Sequence, residues 1–360
     1  MKQNDAVVKY VLNKINQEFK DDIDLLVIYG SYINGTENDK SDVDMYVVPK
    51  NENGYNLGET FILNGIGYDI FCIPWERLSS IADFKESLSP LIGDVRVAYS
   101  HSQNELDRFE KLQKQMKLHL NDPLYMRSKS YDRIVDALEA YKGLPAETSL
   151  GRGRLKTGKI LLSLAEAVAY ANETYFHKGL KTQYTDLCKM KKEPENFTRL
   201  YHDSIIADNL DALKDMCYKI LNNTLEFFQL RDELNITNEN TNPSDAKIFL
   251  DENLEYEKIN YKDSADSYQE MSSTFNKIYL CAENGDYVLA FISAYCLQRT
   301  IESAFEFRIL QLQTTDLLSE YQYNNLEKLA VKARNIEKDI INQIESKNIK
   351  IRAISSLSEL

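Results

Sequence analysis

Two aspartates separated by a single valine, Asp42 and Asp44, follow the Gly30-Ser31 pair after ten intervening residues, in the stretch IYGSYINGTENDKSDVDMYVV from Ile28 to Val48. The flanking runs DLLVIYG (Asp24 to Gly30) and VDMYVV (Val43 to Val48, stopped by Pro49) are apolar and β-prone, and both read as strands. Side chains at i and i+2 of a strand share a face, so the two carboxylates stand side by side while Val43 points the other way. Carboxylates that close repel each other unless a cation sits between them. Hard divalent ions such as Mg²⁺ take oxygen ligands of this kind and share them with substrate phosphates. The Gly-Ser turn supplies the complement, because a turn with little side-chain bulk lets backbone N–H groups approach an anion. Metal on one side and phosphate on the other is the site these residues imply.

A third carboxylate extends the set. In FILNGIGYDIFCIP (Phe61 to Pro74) an Asn-Gly pair separates two β-prone runs, a two-residue hairpin signal that pairs ETFIL with GYDIFCI. Asp69 lies in the second run between Tyr68 and Ile70, and a lone charge in an apolar strand is costly to bury unless it is paired or ligates a metal. Asp69 is therefore the third candidate ligand.

Taken in order, Gly30-Ser31, Asp42-x-Asp44 and a single Asp on a later strand resemble the active-site signature of the DNA polymerase β-type nucleotidyltransferase superfamily, over roughly residues 24 to 100. The resemblance implies transfer of a nucleoside monophosphate from an NTP, ATP foremost, to an acceptor hydroxyl with release of pyrophosphate. It gives Asp42 and Asp44 both of two Mg²⁺ ions (Mn²⁺ being the alternative metal), Asp69 the ion on the acceptor side, and Gly30 and Ser31 the β- and γ-phosphates. An α/β catalytic domain followed by a helical bundle is also similar to the kanamycin and other aminoglycoside nucleotidyltransferases, so a small-molecule acceptor is the expected partner. Nucleotidylation of a protein or tRNA, as in toxin-type members, and nucleotide binding without transfer are the alternatives. All three carboxylates are present, which favours catalysis.

GRLKTGKI (Gly153 to Ile160) follows the phosphate-loop pattern up to its last position, where Ile160 replaces the Ser or Thr that binds Mg²⁺. No strand precedes it, and it is not read as such a loop. Arg152, Arg154, Lys156 and Lys159 nevertheless place four cations at a helix start, where N–H groups and the helix dipole favour anions. By the resemblance, Lys156 or Lys159 reaches the triphosphate; a solvated helix start is the plain alternative. Glu166 and Glu173 have a heptad spacing that puts them on one helix face, as a polar stripe or a base. His101, His119, His177 and His202 fit no metal-ligand spacing and read as satisfied polar residues.

At 360 residues the chain exceeds the size at which single cores stop growing, and two or three domains are expected. Its formal net charge of -13 disfavours broad contact with nucleic acid phosphates and suits a cationic or neutral substrate. Five scattered cysteines suggest neither a disulfide framework nor a zinc site, and a reducing, cytoplasmic setting is expected. The longest apolar run, YVLAFISAY, is too short to span a bilayer.

The elements that must position these residues divide the chain. Residues 1–103 read as helix, strand, loop, strand, hairpin, short helix and closing strand VRVAYS, a mixed-sheet catalytic domain. Helical patterns follow near 104–120, 128–142, 153–177, 194–206 and 208–231, giving a helical substrate- and nucleotide-binding domain over 104–235. NITNENTNPSDAK (Asn235 to Lys247) is poor in apolar residues and marks a boundary. Helix-period positions in AFISAYCLQRTIESAFEFRIL and NNLEKLAVKARNIEKDIINQIE then place a second helical unit over 248–360. The fold class is α+β: a mixed-sheet domain followed by helical bundle domains.

Overall fold

The computed structural model describes residues 2–35, 37, 40–231, 261–306 and 316–360. Helix α1 (Gln3–Glu18) turns Val7, Val8, Val11 and Ile15 inward at helical spacing. Strand β1 (Ile23–Tyr29), the single turn α2 (Ser31–Asn34) and strand β2 (Asp44–Pro49) follow. The hairpin of β3 (Glu59–Leu63) and β4 (Ile66–Cys72) turns at Asn64 and Gly65, whose φ values of 51° and 80° suit an Asn-Gly turn. Helices α3 (Trp75–Ala82) and α4 (Pro90–Gly93) lead into β5 (Val95–Ser100).

Among the described residues the sheet has the order β5-β1-β2-β4-β3-β6, in which β6 (Ala353–Ile354) comes from far downstream. β1 is antiparallel to both β2 and β5, β2 is parallel to β4, and β3 is antiparallel to β4 and parallel to β6. One face, with Leu26, Ile28, Met45, Val47, Phe61 and Ile70, packs on α1. The other, with Leu25, Val27, Tyr46, Val48 and Ile73, packs on α3 and on Phe109 and Met116. Strand alternation assigns Asp44 and Asp69 to this second face, two residues before Tyr46 and Phe71.

Helices α5 (Gln103–Leu120), α6 (Pro123–Lys142), α7 (Leu150–Ala171), α8 (Gln183–Leu187), α9 (Phe197–Ile206) and α10 (Leu210–Phe227) come next, then α11 (Tyr261–Asn284), α12 (Tyr287–Glu306) and α13 (Glu327–Glu345). α6 starts five residues earlier than its apolar pattern indicates, because Asp122 caps it and Pro123 takes the first helical position. Ser149 likewise caps α7, ahead of the expected start. An apolar core joins Leu164, Val168, Ile205 and Leu221 to Phe275, Phe291, Leu329 and Ile340, so α11–α13 pack on the helices that precede residue 231. The boundary expected at Asn235 to Lys247 lies outside the described residues. No helix among them is long and apolar enough to cross a membrane.

Candidate active site

β1 ends at Tyr29, which pairs with Asp44 across the antiparallel ladder. The chain then turns at Gly30 with φ +73°, a conformation that side chains other than glycine's rarely adopt. A Cβ there would also lie 2.0 Å from Asp44 Oδ2. Both facts require glycine, and together they seat the Gly30-Ser31 turn directly against the second aspartate. Asp42 lies two residues before β2 and is held by α1: the buried Asn4 donates to the carbonyls of Ser41 (3.0 Å) and Asp42 (3.2 Å). The Tyr68 hydroxyl, which accepts from Gln3, donates to Asn4 Oδ1 at 2.7 Å and fixes the amide in that pose. Asp69 arrives from β4, where the parallel register Met45–Ile70 brings the start of β2 beside it.

The three carboxylates are half-buried; Asp44 and Asp69 share their sheet face with Tyr29, Tyr46 and Phe71, whose ring centroids lie 6.0–6.3 Å apart. Burial, then the charge of Asp42, pushes the Asp44 carboxyl up to about 7. Burial, then Glu270 and Asp42, pushes Asp69 up to about 7 as well. Asp42 is raised by burial and lowered by Lys277. Tyr29 is held well above its ordinary value by burial and by the charges of Asp44, Asp42 and Asp69, so all three act on one side chain. This is an excess of negative charge in a poorly hydrated place, relieved by a proton or a cation. The donors are hard anionic oxygens, the kind Mg²⁺ takes. As the side chains stand, however, no group of three or more His, Cys, Asp and Glu among the described residues gathers closely enough to hold an ion.

Lys156 and Lys159 lie within α7 and have acidic neighbours of their own, Glu147 at 3.3 Å and Asp136 at 3.9 Å. Arg154 is buried and donates to the carbonyls of Leu318 and Ala207, and Arg152 pairs with Glu302. The GRLKTGKI stretch is helix throughout. The expected common face of Glu166 and Glu173 is corrected: α7 ends at Ala171, Glu173 has φ 56° and pairs with Lys192, whereas Glu166 accepts from Ser87 at 2.6 Å. The histidines have neighbours in the fold, for example His177 on Asp94 and His202 on the Tyr287 hydroxyl.

Four residues at the site escaped the sequence reading. Tyr29 and Asn4 have a local signal, a tyrosine abutting the Gly-Ser turn and a polar residue on the apolar stripe of α1. Glu270 and Lys277 lie on α11, more than two hundred positions from the carboxylates they act on. Only the fold brings them there.

Residues 13–66 match the family model described as "Polymerase beta, Nucleotidyltransferase". The matched stretch includes Gly30, Ser31, Asp42 and Asp44 and stops three residues short of Asp69. The match takes in β1, α2, β2 and β3 and ends at the start of β4. Among solved structures, a nucleotidyltransferase-like protein from Exiguobacterium sibiricum aligns at 10% identity over 62% of this chain and 75% of that one, with a TM-score of 0.38.

Proposed function

We propose that the chain transfers a nucleoside monophosphate from an NTP to a hydroxyl of a small-molecule acceptor, releasing pyrophosphate. One observation carries this reading: the Gly30 turn is pressed against Asp44 so closely that no side chain fits between them, with Asp69 one strand away. A phosphate-approaching turn and a carboxylate set are thereby adjacent.

In this reading Asp42, Asp44 and Asp69 hold Mg²⁺, which when bound would stabilise charge on the attacking and leaving oxygens. Gly30 keeps the turn low enough for phosphate oxygens to approach, and Ser31 offers its hydroxyl and N–H to them. Tyr29, Tyr46 and Phe71, on the same sheet face as Asp44 and Asp69, limit water on that side, which strengthens the carboxylates' hold on any cation. Asn4 and Tyr68 fix the backbone at Asp42, so that its carboxylate need not be ordered on binding. Beside Asp69 a cleft of about 570 Å³ opens, lined by Glu59, Thr60, Phe71, Asp266 and Arg352. Glu59 is taken up by Lys14 and Arg352, while Asp266 and the Phe71 ring suit an acceptor carrying amines and hydroxyls, and an aminoglycoside-like compound is the first to try.

A second reading, nucleotide binding without transfer, is favoured by the failure of the three carboxylates to converge as an ion site. Incubation with each labelled NTP, Mg²⁺ and a panel of amino-sugar, protein and tRNA acceptors separates the two. Label transfer with pyrophosphate release, lost in Asp42→Asn, supports the enzyme. Tight NTP binding with no transfer to any acceptor supports the binding protein.

A further inference from the structure

Three distant parts of the chain meet at the cleft beside Asp69: the hairpin supplies Glu59, Thr60 and Phe71, α11 supplies Asp266, and the segment leading into β6 supplies Arg352. Each part is fixed by the fold. Gly67 seats α11 on the hairpin, since a Cβ there would collide with Ser272 Oγ and the Gln269 carbonyl. The buried Gln269 then ties the three walls together: its Nε2 donates to Thr60 Oγ1 at 2.8 Å and to Asp266 Oδ1 at 3.1 Å, and its Oε1 accepts from the Arg352 N–H. The Arg352 carbonyl accepts from the Ile62 N–H at 2.8 Å, and β6 continues from there along β3. Thr60 stands opposite Asp69 in the hairpin register, so the same walls border the candidate carboxylate.

The cleft is charged with both signs. Glu59, with its side chain only 6% exposed, accepts at Oε1 from the Lys14 ammonium and the Tyr10 hydroxyl, both at 2.9 Å, and at Oε2 from Arg352 Nη2 at 3.2 Å. Lys14 alone balances that carboxylate, so Lys14, Glu59 and Arg352 together carry one positive charge in excess. The Arg352 side chain is 40% exposed and lines the cleft, and it presents that charge there. A guanidinium is a planar fork of five N–H donors, and Glu59 occupies only one edge of it. On the helix side, Asp266 accepts from Gln269 Nε2 and, at 3.4 Å, from Thr60 Oγ1. Both donors are neutral and leave its charge unbalanced.

We propose that the acceptor carries an anionic group, a carboxylate or a phosphate, in addition to its amine and hydroxyls: Arg352 takes the anion, Asp266 takes the amine, and the hydroxyl to be modified is left at Asp69. This rests on the transferase reading for the reaction. The transfer step keeps its balance: the acceptor oxygen bonds to the α-phosphorus, the bond from that phosphorus to the pyrophosphate oxygen breaks, and the hydroxyl proton leaves to solvent. At about 570 Å³ the cleft has the size of a small-molecule site, and Arg352, Asp266 and Asp69 all line it. A purely cationic acceptor satisfies Asp266 but meets like charge at Arg352, whereas a zwitterionic one answers both. Arginine suits the anion for a further reason, since its fork matches the paired oxygens of a carboxylate or phosphate.

Transfer of α-phosphate label from MgATP to a matched panel tests the assignment: glucosamine, glucosamine 6-phosphate, glucose 6-phosphate, an aminouronic acid and kanamycin, with the parent chain and its Arg352→Gln, Arg352→Lys and Asp266→Asn variants. The parent should favour glucosamine 6-phosphate or the aminouronic acid over glucosamine by roughly ten- to hundredfold in kcat/KM, the range for hydrogen bonds to charged groups, with the difference in KM. Which of the two anionic acceptors leads tells phosphate from carboxylate. Arg352→Gln, which keeps a donor for Glu59, should bring the anionic acceptor down to the level of glucosamine, and Arg352→Lys should recover part of the loss. Asp266→Asn should bring glucosamine 6-phosphate down to the level of glucose 6-phosphate. Glucosamine or kanamycin modified as well as the anionic acceptors overturns the inference and retains the transferase reading. So does an equal loss for glucosamine and its phosphate in Arg352→Gln, which assigns the arginine to holding β6. Label on none of the panel, with MgATP bound, overturns the inference, and the protein and tRNA acceptors then decide the transferase reading separately.

Discussion

At the scale of single residues the site is a conflict of like charges maintained by the fold. Asp44 has its carboxyl raised from 3.8 to about 7, first by burial and then by Asp42. Its folded form binds the proton more tightly than the unfolded chain does. The stabilising contribution is therefore full below pH 4 and is lost as pH rises through 7. Asp44→Asn should then raise the stability of the metal-free chain at pH 8, by on the order of 2–4 kcal/mol, while lowering transfer by several orders of magnitude. Thermal melts beside the transfer assay check it, and an Asp44→Asn chain that melts lower than its parent at pH 8 contradicts the charge conflict. The same shift sets a pH window for metal. Because Asp44 and Asp69 both titrate near 7, protons compete with Mg²⁺ below that value. Millimolar Mg²⁺ should raise the melting temperature by several degrees at pH 8 and by little at pH 5.5. Equal shifts at both values would remove these carboxylates from the metal's ligand set.

Elements bring these residues together, and here the legibility of the sequence divides. The Asp-x-Asp strand, the Asn-Gly hairpin and VRVAYS could be read because each is a short β-prone run next to a turn residue or pair. The neighbourhood of Gly30 and Asp44 was legible for the same reason: the two are close in sequence and joined by one loop. α11 was not singled out, although Tyr268, Met271, Phe275, Ile278 and Ala282 recur at helical spacing. Apolar periodicity announces a helix without saying which surface it packs on. Its address is written at Gly67, where absence of a side chain admits the helix backbone, and a glycine in a strand reads equally as a bulge or a weak point. Glu166 and Glu173 show the opposite error, a heptad spacing continued past a helix end that Asn172 closes. Gly67→Val should push α11 from the sheet and lower the melting temperature, with Mg²⁺-dependent stabilisation at pH 8 retained. Hydrogen exchange across 265–280 should rise in that variant. Parent-like exchange and melting there would show that the seat of α11 does not depend on the missing side chain at Gly67.

For the whole molecule, the question is whether the helices after residue 261 form a unit of their own, as the composition break suggests. The packing argues for shared stability. Phe275, Phe291, Leu329 and Ile340 are in one apolar cluster with Leu164, Val168, Ile205 and Leu221, and β6 extends the N-terminal sheet while Arg352 pairs with Glu59 across it. Removing one side of such a core exposes the other, at about 25 cal/mol for each Å² of apolar surface returned to water. Residues 1–231 expressed alone should therefore lose cooperative unfolding, bind a hydrophobic dye and associate on a sizing column. The intact chain should unfold in a single calorimetric transition, with no second component assignable to residues 248–360. An isolated 1–231 fragment that stays monomeric and melts sharply within a few degrees of the full chain would establish separate units. In that case α11 would be an appended wall, and the nucleotide site of the sheet should still bind AMP without it.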